Sequence, residues 1–454
     1  MFDNTKDIKM AEKIASAVKE KGGAAYYVGG FVRDRLMGRE CKDIDIEVHG
    51  LAPDKLSDVL DSLGERLSVG ESFGIYGMRG YSLDIAMPRK ENLKGRGHRD
   101  FDVTVDPFIG EKKAAMRRDF TINALMQNVL TGEVLDFFGG LDDIKNGILR
   151  HVSDKSFAED SLRVLRGAQF SARFGFEIAD ETMALFRQMS LDALSRERVE
   201  GELEKAMLGS AKPSVFFECL KKADRLCEWF PELFALIGVE QNKKYHAEGD
   251  AFTHTMLVLD AAAKRRGEAS DPFGFMLAAL VHDFGKAVTT ECIDGVIHSY
   301  GHEKAGQALT LEFMHRLTGN VKRTKYVMNL ALLHMKPNVC ASSGASIKAT
   351  NKMFDEAICP KDLILLSSAD AEGKQSEHVK RDNEEFLFGR LRIYREYMAR
   401  PCVSGKDLVL AGISPGPVFS EALAYAHKLH LAGIEKEQAL KQTLSYAAKL
   451  SAKL

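Results

Sequence analysis

The stretch spanning residues 26–47, YYVGGFVRDRLMGRECKDIDIE, constrains this chain more than any other. It reads as a strand over 26–28, a glycine turn, a short helix and a second strand. Gly29 and Gly30 let the backbone approach a ligand closely and leave amides free at a helix start, which favours a phosphate. Asp43 and Asp45 follow, two apart on the next strand. The two-residue repeat of a strand puts both carboxylates on one face. Adjacent carboxylates repel unless a cation lies between them, and Mg²⁺ with the phosphates of a nucleotide is the usual solution. A lone glycine pair is a common turn, and a lone Asp-x-Asp a common surface pattern. In this order and this close together they describe what nucleotidyl transfer requires.

The rest of the chain sets the bounds. Its 454 residues are enough for two to four domains with sizeable cores. Hydrophobic residues make up 45% and charged residues 28%, ordinary for a soluble protein. No apolar run approaches the roughly 18 residues that span a bilayer. The polar start, MFDNTKDIKMAEK, has no signal-peptide core. The expectation is a cytoplasmic protein without a membrane partner. The 7 cysteines are scattered without a CxxC pair, which speaks against a disulfide framework or a thiolate zinc site. A net charge of −2 gives no global basic field, so nucleic acid would bind through local patches.

Apolar spacing predicts amphipathic helices over 7–21 and 51–63, with strands over 66–69 and 81–86. Helices flanking a small mixed sheet are the expected head. In the second strand Asp84 alternates with Leu83 and Ile85, and could complete a metal site with Asp43 and Asp45. Residues 89–110 are rich in Lys, Arg and Gly without periodicity and read as a mobile basic loop. RRDFTINALMQNVL, 117–130, reads as a helix burying Ile122, Leu125, Met126 and Val129. Its opening Arg117 and Arg118 suit a triphosphate. VLDFFGGLDDIKNGILR, 134–150, reads as strand, glycine turn, short helix and strand. Residues 157–174 read as one amphipathic helix with Asp160 and Arg163 on a shared face, where a wet i,i+3 ion pair is the ordinary interpretation. Residues 193–209 form a charged helix, with Ser195 a plausible cap.

Taken together, the GG turn, the Asp-x-Asp pair, RRDFTINA, the 134–150 unit and the EDxxR of 159–163 resemble the polymerase-beta-like nucleotidyltransferases. More narrowly, they resemble the bacterial tRNA nucleotidyltransferase and poly(A) polymerase family. The resemblance implies that Asp43, Asp45 and Asp84 are the catalytic carboxylates, with Mg²⁺ on Asp43 and Asp45. Gly29, Gly30 and Arg33 would cradle the triphosphate. Arg117, Arg118, Asp119 and Asn123 of RRDFTINA would join the nucleotide site. The 89–110 loop would help the terminal adenosine step, and 134–150, with Asp136, Gly140 and Asp142, would be a hinge. Asp160, Arg163 and Arg166 would read the base. The chemistry fits: a carboxylate accepts from the exocyclic amine that C and A share, a guanidinium meets ring acceptors, and U or G leaves the carboxylate unpaired.

A second pattern begins near residue 245. His254 sits on an apolar helix, His282-Asp283 ends another in AALVHDFGK, and His302, His334 and Asp370 follow. A histidine on an apolar helix is usually a core residue. His-Asp after an apolar run, followed by Gly and Lys, resembles the HD phosphohydrolase superfamily. That resemblance implies metal ligands at His254, His282, Asp283 and Asp370, with His302 and His334 as phosphate contacts or second-metal ligands. Imidazole and carboxylate together suit a divalent transition metal such as Ni²⁺ or Mn²⁺.

The fold expected is α+β: a polymerase-beta-like head with a mixed sheet over 1–145, an all-helical neck and RNA-binding region over 146–240, an all-helical HD domain over 241–400 and a helical tail over 401–454. The function implied is CCA addition to tRNA from CTP and ATP, with no DNA partner, and a second phosphohydrolase activity on 2′,3′-cyclic or 2′-phosphates. Two rivals share the motifs. A poly(A) polymerase usually carries a long basic C-terminal extension, which is not seen here. An RNA-binding HD phosphohydrolase would use the head for docking only, and an intact motif set speaks against it.

Overall fold

The computed structural model describes residues 4–41, 43–70, 74–93, 101–375 and 383–451. The chain divides into two compact units, Met1–Ala206 with Val215–Trp229, and Met207–Ser214 with Phe230–Leu454. No helix among the described residues is long and apolar enough to cross a membrane.

The first unit is built on a mixed sheet. Its strands are β1 (Ala24–Val28), β2 (Ile44–His49), β3 (Arg66–Gly70), β4 (Ile75–Met78), β5 (Leu83–Ala86), β8 (Met126–Asn128) and β9 (Val134–Leu135), in the order β3-β4-β5-β2-β1-β8-β9. The strands numbered between, β6 (Arg89–Leu93) and β7 (Phe101–Val105), form a separate antiparallel ribbon. Helices Thr5–Glu20 and Pro53–Leu63 bury Ile14, Val18, Leu56 and Leu60 against Ile46 and Ile85 of the sheet. One pairing matters for chemistry. β2 and β5 run parallel with Asp45 opposite Asp84. In β5 the alternation holds, with Leu83 and Ile85 buried and Asp84 exposed.

Four expectations for the first unit need correction. Asp43 is not on the second strand; it lies one residue before β2 and is exposed. Within the basic segment 89–110, residues 89–93 and 101–105 are not loop but the paired strands β6 and β7; residues 94–100 lie outside the described residues.

RRDFTINALMQNVL is not a helix. It is a turn, a 3₁₀ turn Thr121–Asn123 and strand β8. The Asp119 carboxylate accepts from Phe120 N at 2.8 Å and Asn123 Nδ2 at 2.9 Å, and Thr121 N donates to Arg150 O at 2.8 Å. These bonds compete with a helical ladder, and they win over an apolar spacing that fits a helix. Residues 157–174 are two helices, Asp154–Ala158 and Leu162–Phe174. Asp160 sits in the break, where its Oδ1 accepts from Leu162 N at 2.9 Å.

The 134–150 unit is as expected: β9, helix Gly140–Asn146 and β10 (Ile148–Leu149). Asp136 accepts from Gly140 N and Leu141 N. β10 pairs in parallel with β11 (Glu177–Ile178). Helix Arg196–Gly209 starts where Ser195 O accepts from Arg198 N and Val199 N.

The second unit is mainly helical. Helices Ala251–Ala263, Pro272–Val281, His302–Leu317, Val321–Leu333 and Pro360–Gly373 surround an apolar core that includes Phe252, Phe275, Leu277, Val327 and Leu366. It is not wholly helical: β12 (Glu291–Ile293) and β13 (Val296–His298) form a hairpin.

Candidate active site and candidate metal centre

The first unit holds a cavity of about 430 Å³ over the β2–β5 seam. Asp45 and Asp84 line it from the two strands, and Glu47, Arg89, Arg117, Arg118, Asp160 and Arg163 complete its polar wall. Burial is the largest influence on Asp45 and pushes its pKa up; Arg118 opposes this, while Asp84 and Asp43 add to the rise. A carboxylate in that condition is short of positive charge. Gly29 has φ 64°, and a Cβ there would lie 3.2 Å from Arg118 Nη1 and 3.6 Å from Asp45 Oδ2. The glycine turn therefore abuts the carboxylate site, and only glycine fits it without strain.

The basic side chains are held rigidly. Arg118 Nη2 donates to Glu47 Oε2 at 3.3 Å, and Glu47 also takes a 2.8 Å bond from His49. Burial pushes the Glu47 pKa up, yet His49 and Arg118 outweigh it and hold the group below the usual carboxylate range. Arg117 donates to Arg89 O, and its own carbonyl accepts from Arg163 Nη2 at 3.0 Å. Arg163 Nη1 also reaches Ser156 O at 2.6 Å, and Asp160 Oδ2 accepts from Arg198 Nη2 at 2.8 Å.

Other expected nucleotide contacts lie below the cavity rather than in it. Arg33 is buried; it pairs with Asp34 at 2.7 Å, donates to Asn123 Oδ1 at 2.6 Å and stacks on Phe174. Its guanidinium braces the turn through these partners. Asn123 then donates to Asp119, and Asp119 Oδ2 accepts from Arg166 Nε at 2.7 Å. Asp119 and Asn123 are buried, so this chain ties the glycine turn to RRDFTINA and to helix Leu162–Phe174. Gly30 opens the helix below the turn. Sequence reading missed Glu47 and His49, though both follow Asp45 at strand spacing on the same face.

The second unit gathers the four expected ligands and, with them, the two further candidates His302 and His334. His254, His282 and Asp370 form one group of close ligand atoms, and Asp283, His302 and His334 another; all six are buried. Asp283 bridges the two. Its Oδ2 lies 3.2 Å from His282 Nε2 and 3.6 Å from His254 Nε2, and its Oδ1 lies 3.2 Å from His302 Nε2 and 3.8 Å from His334 Nε2. His254 Nε2 is 3.1 Å from Asp370 Oδ1.

Every histidine is oriented in the same manner. The Nδ1 atoms of His282, His302 and His334 donate to Ala279 O at 2.8 Å, Ser299 O at 2.8 Å and Ala331 O at 2.6 Å. His254 Nδ1 donates to Glu248 Oε1 at 2.8 Å. Those oxygens only accept, so each neutral ring carries its proton on Nδ1 and turns a lone pair inward on Nε2. His282 Nε2 is buried with no hydrogen bond of its own. Burial pushes the Asp283 and Asp370 pKa values up, but His282 with Lys286, and Lys374 with His254, hold them well below the usual range. Burial lowers His334 to about 3, so it is neutral. Deprotonated carboxylates and inward lone pairs are a metal-ligand donor set.

Sequence reading missed Glu248, His246, Lys286 and Lys374. Glu248 accepts from both His246 Nδ1 and His254 Nδ1 at 2.8 Å. It lies in the turn before helix Ala251–Ala263, where no periodicity marks it.

The poly A polymerase head domain family matches residues 25–150. The multifunctional CCA protein of Pasteurella multocida (strain Pm70) is 38% identical over 413 residues, covering 87% of this chain and 94% of that protein. The protein of that name from Nitrosococcus oceani is 36% identical over 407 residues, covering 88% and 95%. Among solved structures, a CCA-adding enzyme with ATP aligns with TM-score 0.67 at 22% identity, over 97% of this chain and 96% of that one. The Thermotoga maritima CCA-adding enzyme complexed with tRNA aligns with TM-score 0.63 at 21% identity, over 98% of each chain. These two establish the fold. With identity of this level along nearly the whole sequence, the chain belongs to the family of multifunctional CCA proteins.

Proposed function

We propose that this protein is a CCA-adding tRNA nucleotidyltransferase of the cytoplasm, transferring CMP and AMP from CTP and ATP to the tRNA 3′ end. The relatives are named multifunctional CCA proteins and the similar solved structures CCA-adding enzymes, and the observation that supports the reading best is the matched register of Asp45 and Asp84 beside Arg117 and Arg118. The tRNA 3′-hydroxyl attacks the α-phosphate, and pyrophosphate leaves. Asp43, Asp45 and Asp84 are assigned the catalytic roles, and the raised pKa of Asp45 fits a group that awaits a cation. Mg²⁺ on Asp43 and Asp45 would supply Lewis acidity to the attacking hydroxyl and the phosphoryl oxygens. Arg117 and Arg118 take the charge of the triphosphate, with the Gly29 turn allowing its approach. Asp160 and Arg163 select the base by its hydrogen-bonding edge. We assign the head to 1–145, the neck to 146–240, the HD domain to 241–400 and the tail to 401–454. The test is tRNA lacking its 3′ end, incubated with CTP and ATP separately and together. Asp45→Ala is expected to abolish addition while tRNA binding stays within a few-fold. More than a tenth of wild-type rate would overturn the assignment.

The second unit supports a second activity, hydrolysis of 2′,3′-cyclic or 2′-phosphates. His254, His282, Asp283 and Asp370 would hold a divalent metal such as Ni²⁺ or Mn²⁺, with His302 and His334 offering a second position on the far oxygen of Asp283. When bound, the metal supplies a nucleophilic hydroxide near neutral pH. Lys286 and Lys374, which line the same cavity and pair with Asp283 and Asp370, would add positive charge near phosphoryl oxygens. Clearing such a phosphate frees the 3′-hydroxyl that addition needs. Asp283→Ala should lose metal-dependent hydrolysis of 2′,3′-cyclic AMP and keep nucleotide addition, and Asp45→Ala the reverse. Hydrolysis that survives Asp283→Ala would refute this site.

A further inference from the structure

The candidate metal centre opens through a cavity of about 230 Å³ whose floor includes Asp283, His302, His334 and Asp370. Its mouth has a different character. Tyr300 and His298 line it with rings stacked 4.7 Å apart at 16°. Tyr300 is 69% exposed, so stacking on His298 covers one face and leaves the other open. The open face of that ring sits beside a polar pocket that leads to the candidate metal ligands.

The local backbone holds that ring in place. β12 and β13 are joined by Asp294 and Gly295, with φ 50° and 77°, the left-handed pair of a tight hairpin turn. Thr290 Oγ1 and Ser299 Oγ close the base of the ribbon at 2.7 Å. Ser299 O accepts the Nδ1 proton of His302. The ring of Tyr300 is thus carried on a segment fixed at one end by the hairpin and at the other by a candidate metal ligand.

We propose that the Tyr300–His298 stack is a base platform that makes this site select nucleoside phosphates over base-free phosphates. This rests on the hydrolytic reading above for where the phosphoryl group sits. Every nucleobase offers a π-face to such a ring, so the platform fits any of the bases that end an RNA. A base stacked on Tyr300 would leave its ribose phosphate directed to the Lys286 and Lys374 ammonium groups on the same cavity wall.

The experiment uses the full chain, with hydrolysis of adenosine 2′,3′-cyclic phosphate compared with that of a base-free 1-O-methylriboside 2,3-cyclic phosphate. Base–aromatic stacking of about 1–3 kcal/mol corresponds to about fivefold to 150-fold. Tyr300→Ala should raise KM for the adenosine substrate by that factor and leave KM for the base-free substrate unchanged, with Tyr300→Trp retaining wild-type behaviour. Calorimetric titration of adenosine 2′-monophosphate into metal-free protein should show the same loss in Tyr300→Ala. If wild type binds in this Tyr300-dependent way but hydrolyses nothing, the platform stands and the hydrolytic reading falls. Equal KM changes on both substrates, or no change on either, would overturn the platform.

Discussion

Gly285 follows His282-Asp283 in HDFGK, and its φ of −63° suits any residue. The constraint there is space. A Cβ would lie 2.7 Å from Gly306 N and 2.8 Å from the carbonyl carbon of His302, and would overlap the His302 carbonyl oxygen. Carbon contacts are comfortable at about 3.5–4.0 Å. Gly285→Ala therefore pushes the start of helix His302–Leu317 back by roughly 0.7 Å or more. His302 Nε2 stands 3.2 Å from Asp283 Oδ1, and ligand geometry tolerates only about 0.2 Å. The displacement should thus cost about 1–3 kcal/mol of stability from overpacking, and it should also separate Asp283 from the His302–His334 pair. The expected result is reduced metal content per chain by elemental analysis, weaker metal-dependent hydrolysis, and unchanged nucleotide addition in the first unit. Gly306→Ala, whose Cβ would meet Gly285 N at 3.0 Å, should be milder. A folded Gly285→Ala protein with wild-type metal content and hydrolysis would refute the reasoning.

Glu248→Gln keeps the size of the side chain but no longer offers His254 a charged acceptor. Metal affinity by calorimetry should fall about 10–100-fold, as for other partners that orient a ligand, and an unchanged affinity would sink the role. Arg163→Ala should raise UTP or GTP incorporation relative to CTP, read by product sequencing; an equal rate loss on all four nucleotides would show that it only braces Ser156 and Arg117. Arg166→Gln should destabilise the first unit by about 3 kcal/mol, the lower end for breaking a buried pair, because Asp119 is left buried and unpaired. Its pH dependence follows from sign. Burial alone would raise Asp119, but Arg166 and Asn123 hold it below its ordinary 3.8. That stability is present above the unfolded value and lost as pH falls through the folded value, so the gap between wild type and variant in denaturant unfolding should be wide at pH 7 and shrink below pH 4.

The parts of this fold that were legible in the sequence are those written in a simple period. Helix Thr5–Glu20, the alternation of β5 and the glycine turn at Gly29 all follow from spacing and φ requirements. The His and Asp set of the second unit was visible through the resemblance of AALVHDFGK to the HD phosphohydrolase superfamily, since a histidine on an apolar helix is by itself usually a core residue. What was not legible depends on side chains that capture backbone groups. Asp119 and Asp160 each bond an amide within two residues and end a helix that apolar spacing would extend. Arg33 is the sharpest case. Its place beside the glycine turn fits a phosphate ligand, and it also bonds Asn123, far along the chain on another element, which no local pattern records. Glu248 is hidden for the same reason: its partner His246 is two residues away in a turn, and its purpose lies in the orientation of His254.

The two sites use carboxylates in opposite ways, and the contrast bears on where each would obtain its cation. In the first unit Asp45 is raised, because burial and its acidic neighbours outweigh Arg118. Such a site offers a lone divalent ion few ligands fixed in advance, since Asp43 lies outside strand β2 and is exposed. A cation arriving with a triphosphate brings the compensating charge and finds Arg117 and Arg118 beside it. In the second unit Asp283 and Asp370 are held low by histidines and lysines already in place, and the four rings are fixed through Nδ1 with Nε2 turned inward before anything binds. That is a preorganised centre, which suits a resident metal. Metal should therefore co-purify with the second unit, while the first should acquire its Mg²⁺ with each nucleotide. Dialysis against a weak chelator should separate the two: hydrolysis should persist in buffer without added metal, and nucleotide addition should stop until Mg²⁺ is restored. Loss of both activities together under mild chelation would show that the difference in carboxylate state does not govern metal retention.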